Sequence, residues 1–78
     1  MAQLSRTAHK DLLTLTPLLQ EKAKVIIARL DEEPALGKKL LGKLAGLRSV
    51  YLGRTHRIIY STDPIVVVAI PNRRDAYR

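Results

Sequence analysis

The chain has 78 residues, with fourteen lysines and arginines against seven acids, a formal charge of +7 and no cysteine. That length suits one domain, 1–78, with a modest core, and excludes a cofactor-binding domain joined to a separate catalytic one. Without cysteine neither disulfides nor a thiolate zinc site can add stability, and the positive charge points to a polyanionic partner, either nucleic acid or an acidic protein. No basic-then-apolar leader is visible and no apolar run approaches the ~20 residues of a membrane helix, so the expectation is a soluble, cytoplasmic protein without a membrane partner.

In chain order, residues 5–15 place Ala8, Leu12 and Leu15 on one helical face, with Ser5 or Thr7 as a capping residue. Thr16-Pro17 reads as an N-cap followed by proline at the first helical position, so a second helix starts there. Its apolar stripe is Leu19, Ala23, Ile26, Ile27 and Leu30, while Glu21, Lys22, Lys24 and Arg29 lie mostly off it. The two segments form a helical hairpin, and Pro34 closes the second helix because the residue before proline avoids helical geometry. Residues 34–46 (PALGKKLLGKLAG) carry three glycines and read as a connection pinned by Leu36, Leu40, Leu41 and Leu44.

After that connection the pattern becomes β-type. Leu47–Leu52, His56–Ser61 and residues 65–70 are separated by Gly53-Arg54-Thr55 and Thr62-Asp63-Pro64, which predicts an antiparallel meander. The run IVVVAI, apolar at successive positions, suggests a central strand covered on both faces. The fold class is therefore α+β: an N-terminal helical hairpin packed on a small antiparallel sheet.

Metal-dependent chemistry finds no support in the sequence. His9 and His56 are far apart and lack helpers at ligand spacing, and the glycines match neither GxxxxGKS nor GxGxxG, so no cofactor is expected. The bases divide unevenly. Up to Lys43 they are mostly lysine mixed with acids, but from Arg48 onward each is arginine: Arg48, Arg54, Arg57, Arg73, Arg74 and Arg78. Guanidinium grips phosphate bidentately and stays charged. Such an inventory suits cleavage of RNA by its own 2′-hydroxyl, because the substrate supplies the nucleophile and the protein supplies charge and proton transfer without a metal.

Arg57 stands in an otherwise apolar strand, where a charge needs solvent or an anionic partner. A two-residue turn at Arg54-Thr55 would pair Leu52 with Arg57 and set Arg48, Val50 and Arg57 on one face; a three-residue turn would send Arg48 the other way. The terminal run Arg73, Arg74 and Tyr77 is either a solvated tail or a phosphate site with an aromatic for an unpaired base. His56 beside Arg57 is a candidate for proton exchange. Tyr51 and Tyr60 read as packing residues of the sheet.

Taken in order, AHKDL, the helix ending before EEP, KLAGLRS, YLGRTHRIIY, IVVVAI and NRRDAYR resemble the RelE/ParE superfamily of toxins over nearly the whole chain. The ending R-R-D-x-Y favours the RelE branch. The resemblance implies a type II toxin that cuts mRNA on the ribosome, held in a hetero-oligomer by a cognate antitoxin. It implies Arg57, Arg73, Tyr77 and Arg48 as catalytic residues; Arg54, Arg74, Lys43 and His56 are further residues expected to contact RNA. Val50 and Leu52 stand where the RelE pattern has further basic residues, so no general base is evident. Two alternatives share the resemblance: a ParE-like inhibitor of DNA gyrase, and a catalytically impaired homologue that only binds antitoxin or ribosome. The family also opens with an edge strand, for which MAQLS provides at most a stub.

Overall fold

The computed structural model describes residues 3–42, 45–62 and 64–72. The chain begins with a two-residue strand, β1 (Gln3–Leu4), and turns at Ser5 into helix α1 (Arg6–Thr14). Ser5 makes that turn stable in two ways. Its hydroxyl accepts from the Ala8 N–H at 3.0 Å, capping the helix, and donates to the Val68 carbonyl at 2.6 Å, fastening the cap to the sheet. Helix α2 (Pro17–Leu30) starts as expected, with the Thr16 hydroxyl accepting from the Leu19 N–H. The Glu33 N–H still reaches the Arg29 carbonyl at 2.8 Å, after which Pro34 has no N–H to extend the helical ladder.

The sheet continues with β2 (Lys38–Lys39), β3 (Leu47–Leu52), β4 (His56–Ser61) and β5 (Val66–Ala69). Its strand order is β1-β5-β4-β3-β2, antiparallel except for β1, which runs parallel to β5. The expected meander is present, and the edge strand at the start is indeed a stub. The connection between α2 and β3 differs from expectation: it contributes β2, and Leu41 is 88% exposed instead of pinned. Leu36 packs against the core, and Leu44 lies outside the described residues.

The centre of the sheet is β4, with Ile58, Ile59 and Tyr60 all buried, and not the IVVVAI run. In β5 Val67 is buried while Val66, Val68 and Ala69 are half-buried. The uninterrupted apolar pattern has a local cause. Val67 lies opposite Tyr60 and Ala69 opposite Ile59, so Val68 is an extra residue in a β-bulge, and simple alternation fails there.

Both helices pack on one face of the sheet, α1 over β5 and α2 over β3. Ala8, Leu12, Ala23, Ile27 and Leu30 meet Leu52, Ile58, Tyr60, Val67 and Ile70 in one core. Asp11 adds a polar tie, accepting the Ile70 N–H at 3.0 Å. The Tyr60 hydroxyl, fully buried, donates to the Pro34 carbonyl and accepts from the Gly37 N–H, each at 2.8 Å. Gly37 must be glycine at that point: a Cβ there would lie 2.5 Å from the Ser49 carbonyl oxygen and 2.9 Å from the Tyr60 ring.

Candidate phosphate-binding face of the sheet

The β3–β4 hairpin decides which arginines can act together. Leu52 lies opposite His56 and Tyr51 opposite Arg57, so the loop has three residues, Gly53-Arg54-Thr55, with Gly53 at φ +63°. Directly opposed residues share a face and neighbours along a strand alternate. Arg57, Tyr51 and Ser49 therefore occupy the face away from the helices, and Lys38, opposite Ser49, joins them from the edge strand. Arg48 lies opposite Tyr60, on the helix-covered face, where its Nη1 donates to the Gly37 carbonyl at 2.8 Å. Of the two turn geometries, the structure adopts the one that separates Arg48 from Arg57.

Arg57 is half-buried and held from two sides. Its Nη2 donates to the Tyr51 hydroxyl at 3.2 Å, and its Nη1 makes a long 3.5 Å contact with the buried Ser49 hydroxyl. The guanidinium carbon sits 4.4 Å from the centroid of the Tyr51 ring, in cation–π range. Tyr51 is 52% exposed, so it supports the arginine at the rim of the sheet and is not the packing residue that the sequence suggested. Tyr60 is that packing residue, at 0% exposure.

His56 does not share Arg57's face. It belongs to the alternate set with Leu52, and its Nδ1 is 2.7 Å from the Thr55 hydroxyl. Proton exchange between His56 and a group bound at Arg57 is thus not favoured by the geometry. Arg54 is exposed in the hairpin loop, two residues before His56. Lys43, Arg73, Arg74 and Tyr77 lie outside the described residues. Sequence reasoning missed Ser49, Tyr51 and Lys38; the signal was available in the polar alternation Ser49-x-Tyr51, which acquires meaning only once the three-residue loop is known.

A second basic feature lies on the other side. Lys39 and Arg48 are direct cross-strand neighbours and line a cavity of about 440 Å³ with Leu40, Leu41, Gly46, Leu47 and Thr62. Among the described residues no group of three or more His, Asp, Glu or Cys could hold a metal, and no helix is long and apolar enough to cross a membrane.

No family model matches the chain, and no curated protein matches it significantly in sequence. Solved structures do. The chain is similar to one in the toxin–antitoxin complex RelBE2 from Mycobacterium tuberculosis, at 29% identity and a TM-score of 0.82, over 94% of this chain and 96% of that one. It also resembles the YoeB/ParE toxin from Agrobacterium tumefaciens, at 20% identity and a TM-score of 0.78, over 92% and 98% of the two chains. A chain of the YoeB–YefM complex from Staphylococcus aureus matches at 21% identity and a TM-score of 0.77, covering 90% of this chain and 92% of that one. Two helices on one side of a mostly antiparallel five-stranded sheet thus define the RelE-like toxin fold. At 29% identity over nearly the whole of both chains, the likeness to the RelBE2 chain supports a toxin of the RelE/ParE superfamily.

Proposed function

We propose that this protein is the toxin of a type II toxin–antitoxin pair and cleaves mRNA on the ribosome, without a metal, by promoting attack of the substrate 2′-hydroxyl on the adjacent phosphate. The observation that carries this reading is Arg57: a half-buried strand arginine, fixed by Tyr51 and Ser49 on the face that the helices leave uncovered. A cation preset in this way meets the charge that develops on the phosphorane without reorganising, which is the largest electrostatic contribution such a site can make. The similarity to a chain of the RelBE2 complex supports the toxin assignment and a cognate antitoxin as partner.

In this reading Arg57 neutralises the scissile phosphate, and Arg73 and Tyr77 contribute a second cation and an aromatic group for the nucleotide. Arg54, Arg74, Lys43 and His56 add contacts to RNA. Arg48 acts as a positioning residue, since its guanidinium braces the Gly37 carbonyl beside β3 instead of facing the substrate. The ribosome supplies the mRNA in extended, single-stranded form, and the cytoplasm is the compartment where the two meet.

Mapping mRNA ends after induced expression tests the proposal. Fragments cut within codons are expected, and arrest of translation with intact mRNA would overturn it. One observation favours a second reading, a homologue that binds antitoxin or ribosome but does not cut. Val50 and Leu52 stand where the RelE pattern has further basic residues that could take part in proton transfer. Purified protein that leaves ribosome-bound mRNA whole while still binding it would select that reading.

A further inference from the structure

Tyr51 has a geometry that packing alone does not require. It lies directly across the hairpin from Arg57, on the same face, and is 52% exposed, whereas the hydroxyl at the other end of the guanidinium, Ser49, is 6% exposed. Arg57 is therefore anchored at a buried hydroxyl and presented at an exposed one.

The Tyr51 oxygen accepts from Arg57 Nη2 at 3.2 Å, and the ring lies against the guanidinium at 4.4 Å. A hydroxyl that accepts from a cation becomes a better donor, because the first bond polarises the second. Its proton must also point away from the guanidinium. The pair thus combines a fixed cation with an O–H donor a few ångströms away, and both lie on the face opposite the helices. Two donors at that spacing match two oxygens of one phosphate, the arrangement that gives charge-assisted recognition its geometric specificity.

We propose that Arg57 and Tyr51 form a composite phosphate clamp, in which the Tyr51 hydroxyl donates to one non-bridging oxygen of the phosphate whose charge Arg57 neutralises. That this phosphate belongs to RNA rests on the function proposed above; the clamp itself requires only a phosphate monoester or diester. Lys38, opposite Ser49 on the same face, extends the positive charge from the clamp toward the sheet edge.

The test is a titration of the purified protein with inorganic phosphate and with a ribonucleoside 5′-monophosphate, followed by NMR at the Arg57 side-chain N–H and the Tyr51 ring. Both signals should move on binding. Tyr51→Phe keeps the ring and its stacking but removes the donor, and should weaken phosphate binding about tenfold with an unchanged amide spectrum elsewhere. Tyr51→Ala should weaken it at least as much. Phosphate affinity equal to wild type in folded Tyr51→Phe, or binding that leaves both signals unmoved, would overturn the clamp. Cleavage of ribosome-bound mRNA is measured separately. Wild-type protein that binds phosphate through the pair yet leaves mRNA intact would overturn the proposed function and not the clamp.

Discussion

The two faces of the sheet use the same residue types for opposite ends. On the helix-covered face an arginine and a tyrosine, Arg48 and Tyr60, are directly opposed, and both spend their polar groups on backbone atoms near Gly37. On the other face an arginine and a tyrosine, Arg57 and Tyr51, are also directly opposed, but they bond to each other at a half-exposed rim. The first pair builds structure, because its donors and acceptors satisfy buried carbonyl and amide groups that would otherwise be costly. The second is the pair proposed to receive an anion. Residue type alone does not distinguish a bracing arginine from a binding one; the partner atoms do.

Substitutions on each face should separate stability from activity. The largest effect is expected in the core beneath the helix-covered face. Leu30→Ala removes a fully buried side chain and should cost about 2–5 kcal/mol in chemical denaturation, a large share of what a domain of this size has. Arg57→Ala should lower the rate of ribosome-bound mRNA cleavage by about 10²–10³-fold, with little change in melting temperature. A large loss of stability there instead would mean that Arg57 belongs with the bracing residues.

Tyr60→Phe leaves the Gly37 N–H and the Pro34 carbonyl without their shared partner. It should destabilise by about 1–3 kcal/mol while phosphate binding persists. Arg48→Ala sharpens the comparison most directly. It should cost about 1 kcal/mol of stability and leave phosphate affinity within a factor of two; a folded Arg48→Ala protein with abolished phosphate binding would show that the face assignment is not what governs the site. The smallest effect is expected at the helix cap, where Ser5→Ala should lower stability by about 1 kcal/mol, read as a small downward shift in the thermal midpoint.

Much of the fold was legible because local rules and the tertiary result agree. Thr16-Pro17 starts α2, the stripe of Ala23, Ile27 and Leu30 is its buried side, and Leu47–Leu52 and His56–Ser61 are strands with the expected ends. The β2 strand was not legible, since two exposed lysines carry no alternation and pair only because β3 offers an unpaired edge. The bulge at Val68 was equally hidden, because an extra residue in an apolar run looks the same as a strand buried on both sides.

By itself the sequence determined that this protein has an α+β domain with its arginines gathered in the second half, including Arg57 in a strand next to a short loop. Only the tertiary structure decided which arginine faces which way. The physical reason is the period of two in a strand: one residue more or less in the Gly53-Arg54-Thr55 loop reverses the pairing of both faces, and composition does not reveal that count. The same choice of register placed Tyr51 against Arg57, and so gave the arginine the partner that makes it a candidate site.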